Sequence, residues 1–351
     1  MEIAKDSITD EQSRILVVQT AFLGDIILTT PLLCALKQVF PKSHLALLTT
    51  PTGKQALEDL KEIDEIISYD KHHSERGIKN LLKKAKELRQ KEFDFALSPH
   101  RSYRTALLLF LSKIPVLVGF EDASFSWIYH FRVQRDKSLH EVERNLSLLE
   151  PVAELPKNFE PKITLPNFNS LSLERFGIGE KKRLIGIFPG SAWQTKRWLA
   201  GYYARLIDMI YQEGMGEVIL LGSKADEPTC REIINQTSSS PLNLAGKTSI
   251  KDLFAIVSQL SLVISNDSAG VHIASGYSVP VVVIYGPTVP EFGFAPYKVP
   301  NRILQKELDC RPCHHHGPRS CPEGHFRCMK EILPEEVFKA VKDLLEEQKN
   351  R

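Results

Sequence analysis

The chain has 351 residues, with 45 Lys and Arg against 43 Asp and Glu, a formal net charge of +2, and 42% hydrophobic and 25% charged residues. That length predicts about two domains, each able to bury its own core, and the composition is globular rather than disordered. The near-neutral balance excludes a chain that coats nucleic acid by bulk charge, so no nucleic-acid partner is expected, and six cysteines are too few for a disulfide-stapled miniprotein.

Residues 1–14 are polar and mixed in charge, without the apolar core of a secretory signal. No apolar run approaches the roughly 20 residues that span a bilayer; the best, Ala106 to Leu111, is cut off by Ser112 and Lys113. A cytoplasmic protein without membrane spans is expected.

The β-type run Arg14 to Gln19 is followed by a short loop around Gly24 and the apolar-rich stretch Pro31 to Phe40, which reads as strand, turn, helix. The pattern returns with a strand at His44 to Thr49, a helix near Lys54 to Leu60, a strand at Glu65 to Tyr69, a long helix near Gly77 to Arg89 and a strand at Asp94 to Ser98. On that long helix Ile78, Leu81, Leu82, Ala85 and Leu88 form the expected core stripe. Prolines 151, 156, 161 and 166 and the turn residues up to about 182 suggest a domain boundary. A second cycle follows, with strands expected at Leu184 to Phe188, Gly216 to Leu221, Leu242 to Leu244, Leu262 to Ser265 and Val279 to Tyr285, and an amphipathic helix from Pro334 to Lys349. Alternation of this kind predicts an α/β protein with two doubly wound parallel sheets, domains at 1–165 and 166–351, and ligands beyond the carboxyl ends of the strands, in a central cleft.

Chemistry-bearing residues fall at those strand ends. Asp25 follows the first strand and is placed either as a general base or as a helix cap; the helix start itself lies at Asp25 or at Thr30-Pro31. The loop has no GxGxxG, which argues against a dinucleotide oxidoreductase. In the second half, Ser191, Lys196 and Arg197 lie among small residues after a strand, a phosphate grip or a solvated surface, and the flanking Trp193 and Trp198 favour binding. The lysine does not follow Walker A spacing. Asp226 or Glu227 would take a ribose hydroxyl pair or cap a helix. Asp267 and Ser268 end an apolar strand, and the amides of Ala269 and Gly270 at a helix start suit a diphosphate. His272, one turn further on, is a ligand contact or an ordinary helix residue.

Taken together, Phe22-Leu-Gly-Asp-Ile-Ile-Leu-Thr-Thr-Pro31, Pro189-Gly-Ser-Ala-Trp193, Thr195-Lys-Arg-Trp198, Gly246-Lys-Thr-Ser249, Ser265-Asn-Asp-Ser-Ala-Gly-Val-His272 and Ile284-Tyr-Gly-Pro-Thr288 resemble the lipopolysaccharide heptosyltransferases of glycosyltransferase family 9, over residues 14 to 345. The resemblance implies a GT-B fold of two Rossmann-like domains, acceptor on the first and ADP-heptose on the second. It implies inverting transfer of heptose from ADP-L-glycero-D-manno-heptose to a heptose of the lipopolysaccharide inner core, with no cofactor required. By that carry-over Asp25 is the base, Ser191 and Lys196 hold the diphosphate, Asp267, Ser268 and His272 line the donor site, and Asp226 or Glu227 approaches the ribose. Ala192 stands where some relatives carry a hydroxyl.

The implied acceptor is an anionic lipid A-core at the inner-leaflet surface. From Lys71 to Thr105 there are ten Lys or Arg against four Asp or Glu, a solvated face or one suited to that anionic surface, and His100, Arg101 and Arg104 after a strand are the expected acceptor contacts. Cys310, Cys313, Cys321 and Cys328, with His314, His315, His316 and His325 between, read either as a structural zinc site or as a loop of packed free thiols. Cys34 and Cys230 read as buried thiols. The alternatives at this level are heptosyltransferase I or another transferase of the same family and, further off, a nucleotide-sugar epimerase of the same fold or a zinc-binding interaction module.

Overall fold

Strands buried on both faces read as continuous apolar runs, and such strands pair in parallel with helical crossovers between them. The computed structural model of the chain describes residues 12–71, 73–168, 173–179 and 183–349. The polar N-terminal stretch lies outside them up to residue 11, as do parts of the 150–182 connection. The chain divides into two units, Met1–Pro166 and Asn167–Arg351.

The first unit holds strands β1 (Arg14–Gln19), β2 (His44–Thr49), β3 (Glu65–Ser68), β4 (Phe95–Ser98), β5 (Val116–Phe120) and β6 (Phe131–Val133) in the order β3-β2-β1-β4-β5-β6. Every pairing is parallel; Val17 on β1 lies between Leu47 of β2 and Leu97 of β4. Its helices are α1 (Leu23–Ile27), α2 (Thr30–Val39), α3 (Pro51–Leu57), α4 (Ile78–Gln90), α5 (Tyr103–Ser112) and α6 (Glu141–Ser147).

The second unit repeats the plan. Strands β7 (Leu184–Phe188), β8 (Glu217–Leu220), β9 (Leu242–Asn243), β10 (Leu262–Asn266), β11 (Val281–Ile284) and β12 (Asn301–Leu304) run in the order β12-β11-β10-β7-β8-β9. Ile264 of β10 sits between Ile187 of β7 and Val282 of β11. The helices are α7 (Ala200–Gln212), α8 (Glu227–Gln236), α9 (Ile250–Ser258), α10 (Ala269–Gly276), α11 (Arg327–Lys330) and α12 (Pro334–Lys349).

Local chemistry sets several boundaries. The Asp25 loop carries two helices: α1 begins at Leu23, and α2 begins at Thr30 with Pro31 in its first turn, where the missing N–H is harmless. α3 starts at Pro51, ahead of the expected Lys54, because the Thr50 hydroxyl accepts from the Gly53 N–H and Pro51 sets the first helical φ. The apolar run Ala106 to Leu111 lies inside α5, capped by Ser102. Among the described residues no helix is long and apolar enough to cross a membrane.

The stripe on α4 departs from expectation. Leu81, Ala85 and Leu88 are buried, but Ile78 and Leu82 are 59% and 50% exposed. The reason is Lys84, which takes the place of an apolar residue on the inner face. Its ammonium donates to the Ser68 carbonyl at 3.0 Å and pairs with Glu75 and Glu87 at 3.2 and 2.8 Å. A buried cation is tolerated when it is paired and hydrogen-bonded, and α4 therefore packs through residues 81, 84, 85 and 88, the spacing of one helical face.

Gly119 on β5 illustrates how tightly this layer closes, since a Cβ there would lie 2.6 Å from the Tyr129 ring. Gly119→Val is expected to destabilise the first unit by roughly 1–3 kcal/mol through overpacking, read as a lowered thermal transition.

Candidate active site

In a sheet ordered 3-2-1-4-5-6 the chain turns in opposite directions from the two central strands, so the loops after them splay apart and leave a crevice at the carboxyl ends. In the first unit those strands are β1 and β4, and in the second β7 and β10. Asp25 and His100-Arg101 follow β1 and β4. Ser191-Lys196 and Asp267-Gly270 follow β7 and β10. Within each unit, these residues lie at the ends of the two switch-point strands.

In the first unit Asp25 is the third residue of α1, whose N-cap is Phe22 without any side-chain cap. Its largely buried carboxyl is pushed up to about 6, first by desolvation and then by the negative charge of Glu141; the Asp25 and Phe22 backbone N–H groups and Arg101 oppose this. Glu141 is itself buried and held by Arg135 at 2.5 Å and Arg144 at 3.1 Å. A base with a pKa near the working pH is what proton abstraction from a hydroxyl requires.

Beside it, the His100 Nδ1 lies 3.0 Å from the Thr20 hydroxyl and 2.7 Å from that of Thr105. The Lys71 ammonium donates to Thr20 at 3.2 Å, and burial, aided by Arg104, brings its pKa down to about 8. Arg101 pairs with Asp122 at 2.7 Å. Arg104 stands apart in role: it donates to the Tyr69 hydroxyl at 2.8 Å and to the carbonyls of Glu75 and Gly77, bracing the β3–α4 connection.

In the second unit the Lys196 ammonium pairs with Asp267 at 2.5 Å, and the Thr288 hydroxyl donates to the same Asp267 oxygen at 2.7 Å. Asn266 ties the two loops together. Its amide donates to the Pro189 carbonyl at 2.8 Å, and its carbonyl oxygen accepts from the Trp198 N–H at 3.1 Å and the Tyr203 hydroxyl at 3.0 Å. The Ser191 carbonyl accepts two bonds from the Arg197 guanidinium. Arg197 is thus spent on the loop, which leaves Lys196 as the cation at the strand end.

Several details differ from the sequence reading. Trp198 is a core residue, packed edge-on against Tyr203 with its indole N–H on the Ile332 carbonyl, so its burial needs no ligand. Ser268 is the N-cap residue of α10, yet its hydroxyl makes no capping bond and lies 3.1 Å from that of Ser265. His272 is buried, with its ring tilted against Phe294. Asp226 closes a capping box with Ser223 at the 224–226 turn, and Glu227 pairs with Arg231.

The Cys/His loop packs against these same strand ends. The Thr195 hydroxyl donates to the Pro318 carbonyl at 2.5 Å, Trp193 stacks on His316, and the Cys313 N–H donates to the Pro287 carbonyl. Arg311 donates to the carbonyls of Gly286, Lys306 and Thr288. The zinc set considered for Cys310, Cys313, Cys321 and Cys328 is not assembled: among the described residues, no group of three or more His, Cys, Asp or Glu side chains could hold a metal ion. The thiols are used otherwise. The Cys313 thiol donates to the Cys310 carbonyl, Cys321 sulfur accepts from the Phe326 N–H, and burial pushes the Cys328 thiol up to about 11. Cys34 and Cys230 carry thiols raised by burial to about 11 and about 12.

The model of glycosyltransferase family 9 (heptosyltransferase) matches residues 81–323. The chain belongs to glycosyltransferase family 9. It is 25% identical over 350 residues to lipopolysaccharide heptosyltransferase 2 of Salmonella typhimurium, covering 95% of this chain and 99% of that one. It is 27% identical over 338 residues to lipooligosaccharide heptosyltransferase 2 of Campylobacter jejuni, covering 94% and 99%. A family 9 glycosyltransferase structure from Veillonella parvula superposes with a TM-score of 0.83 at 26% identity, covering 96% of this chain and 98% of that one. The two Rossmann-like units are accordingly those of a GT-B type glycosyltransferase.

For this family 9 enzyme, sequence reasoning passed over Asn266, Thr288, Arg311 and Lys71 as working residues. Asn266 and Thr288 were visible inside the quoted segments, after a strand and after a Gly-Pro turn, and only the strand order shows what they join. Arg311 and Lys71 carry no local signal.

The raised Asp25 pKa also has a consequence for stability. Because the folded value, about 6, lies above the unfolded value near 3.9, the ionised carboxyl weakens the fold above pH ~6, and the cost disappears below pH ~4. Asp25→Asn is therefore expected to melt at a higher temperature than wild type at pH 8, with the difference closing by pH 4; an equal melting temperature at pH 8 would contradict the burial account.

Proposed function

We propose that this enzyme transfers a heptose from ADP-L-glycero-D-manno-heptose to the heptose of the lipopolysaccharide inner core, the reaction of heptosyltransferase II. What supports the substrate assignment is the near-full-length match to two proteins named heptosyltransferase 2. What carries the mechanism is one observation: a largely buried carboxyl, Asp25, stands directly after β1 at the β1/β4 switch point, where burial pushes its pKa up.

The Asp25 carboxylate takes the proton of an acceptor hydroxyl. The freed oxygen forms its bond to the anomeric carbon as the bond from that carbon to the ADP oxygen breaks, and configuration inverts in a single displacement. Negative charge gathers on the departing diphosphate. Lys196, the Ser191 loop and the amides at Ala269 and Gly270 meet it there, and the α10 dipole adds to their effect. For Lys196 to do so, the diphosphate must share the lysine with Asp267, whose carboxylate keeps its Thr288 bond. Ser268 and His272 line the sugar side, and Asp226 or Glu227 approaches the ribose. His100, Arg101 and Arg104, with Lys71, line the acceptor side, the two arginines and the lysine offering positive charge to the phosphates and carboxylates of the lipid A-core acceptor. The protein works in the cytoplasm, peripherally at the inner-leaflet surface where that acceptor lies.

The decisive experiment incubates the protein with ADP-heptose and defined truncated cores and weighs the products. A heptose added to a core that already bears one supports the assignment; addition only to a heptose-free core points to the first transfer of the series, and altered nucleotide sugar without acceptor points to an epimerase. Asp25→Ala is expected to lower transfer by roughly 100-fold or more with donor affinity retained, and the wild-type rate should fall as pH drops through about 6, because the carboxylate is the active form. Lys196→Ala should weaken ADP binding by about 10-fold to 100-fold, the effect of losing a charged hydrogen bond to the diphosphate; unchanged affinity by calorimetry counts against the phosphate grip.

A further inference from the structure

We propose that the outer face of α4 and α5, together with the Phe125–Trp127 turn, is a docking surface for an anionic phospholipid bilayer. It deepens the reading above, on which it rests for its purpose, but its chemistry stands on the first unit alone.

Six large apolar side chains are left in water on these elements: Ile78 and Leu82 on α4, Tyr103 and Phe110 on α5, and Phe125 and Trp127 on the turn, each between 48% and 69% exposed. Single exposed apolar residues are ordinary, but clustered ones mark an interaction site. These are clustered. Trp127 lies 6.1 Å from Phe110 and 6.4 Å from Phe125, ring centre to ring centre. Tyr103 and Phe110 are two turns apart on one face of α5. Between the helices a groove of about 350 Å3 runs past Leu82 and Leu111. Phe125 adopts φ 58°, ψ 40°, a left-handed conformation unfavourable for an aromatic residue. The turn is held by the Ser124 N–H on the Arg101 carbonyl and by the Arg101–Asp122 pair.

Exposed positive charge outweighs negative around this face, where Glu92 and Glu121 are exposed acids beside the helices and the turn. Lys79, Lys83, Lys86 and Arg89 on α4 are exposed, and so is Lys113 after α5. The one acid within either helix, Glu87, is paired with Lys84. Asp122, close to Phe125 in the chain, is paired with Arg101. Trp, Tyr and Phe are the side chains that settle at the headgroup level of a bilayer, and lysines beside them are drawn to anionic lipid. A protein partner would need acidic groups and hydrogen-bonding complements; a bilayer needs only apolar rings and positive charge, which is what this face offers. Because Arg101 leads from the turn to the Asp25 site, a membrane held here would present lipid-borne acceptors beside the base.

The test is co-sedimentation of the full chain with vesicles of phosphatidylcholine alone or mixed with phosphatidylglycerol, in the absence of donor and acceptor. Wild type is expected to bind the mixed vesicles, more weakly as salt rises, with a blue shift in Trp127 emission. The double variant Phe110→Ser, Trp127→Ser should bind them at least about tenfold more weakly, and Lys83→Glu, Lys86→Glu should lose the preference for phosphatidylglycerol. Transfer to a lipid-free core fragment should be unchanged in all of them. Wild type that stays in the supernatant, or a serine variant that binds as wild type does, overturns the surface. So does a dimer in light scattering that the serine variant dissolves, which would make the face a contact between copies of the chain. Vesicle binding with no transfer to any core would leave the surface standing and the proposed reaction fallen.

Discussion

Every polar end of the Asn266 side chain is in use, and the second unit's site depends on it. One amide, at the end of β10, donates to the loop after β7 and accepts from the backbone of Trp198 and the hydroxyl of Tyr203. An apolar residue in its place would leave a buried N–H and a buried hydroxyl unsatisfied, and a carboxylate would set a charge against the Pro189 carbonyl. With Asn266 in place, the next residue, Asp267, is delivered to Lys196 and Thr288, and the α10 start is aimed past Phe188, whose ring leaves no room for a side chain at Gly270.

The first unit solves the same problem with charge. Three buried ionic groups, Arg135, Glu141 and Arg144, sit behind the Asp25 turn, and the carboxylate at their centre makes Asp25 harder to ionise. Such a cluster is costly to bury unless its members are paired and hydrogen-bonded. Here Arg144 also donates to the Asp136 and Lys137 carbonyls, and Asn145, one residue on, donates to the Leu28 carbonyl. The helix that carries Glu141 is thereby fixed to the chain that carries Asp25, so the electrostatic influence between them is built into the backbone path.

Much of this fold was legible in the sequence. Parallel strands buried on both faces give uninterrupted apolar runs, which is why β2 and β7 fall where expected to the residue. The short outer strands β5, β6 and β12 were not assigned, and α5 was seen only as an apolar run. The core stripe on α4 was misjudged for a definite reason: periodicity does not reveal a buried lysine, and Lys84 turned the helix so that Ile78 and Leu82 face outward. The candidate residues were found because they sit after strands. What they touch was not, because strand order decides which strand ends are neighbours, and β1 meets β4 across some 75 residues of chain. The two tryptophans near Lys196 show the limit of composition, since one proved to be core and the other stacks on a histidine more than a hundred residues away.

The Cys/His loop touches the strand ends of the second unit through the Arg311 guanidinium, the His316 ring and two backbone groups. Carbonyls of Gly286, Thr288 and Pro318 and the amide of Cys313 carry the contacts. Buttressing of this kind constrains the loop's path and length and, of its letters, Arg311 most. Drift among its cysteines and histidines can be absorbed while the chain still follows the same course, whereas a single inserted or deleted residue would pull carbonyls out of register and slacken the wall behind Lys196. Its unusual composition and its architectural value are therefore separable.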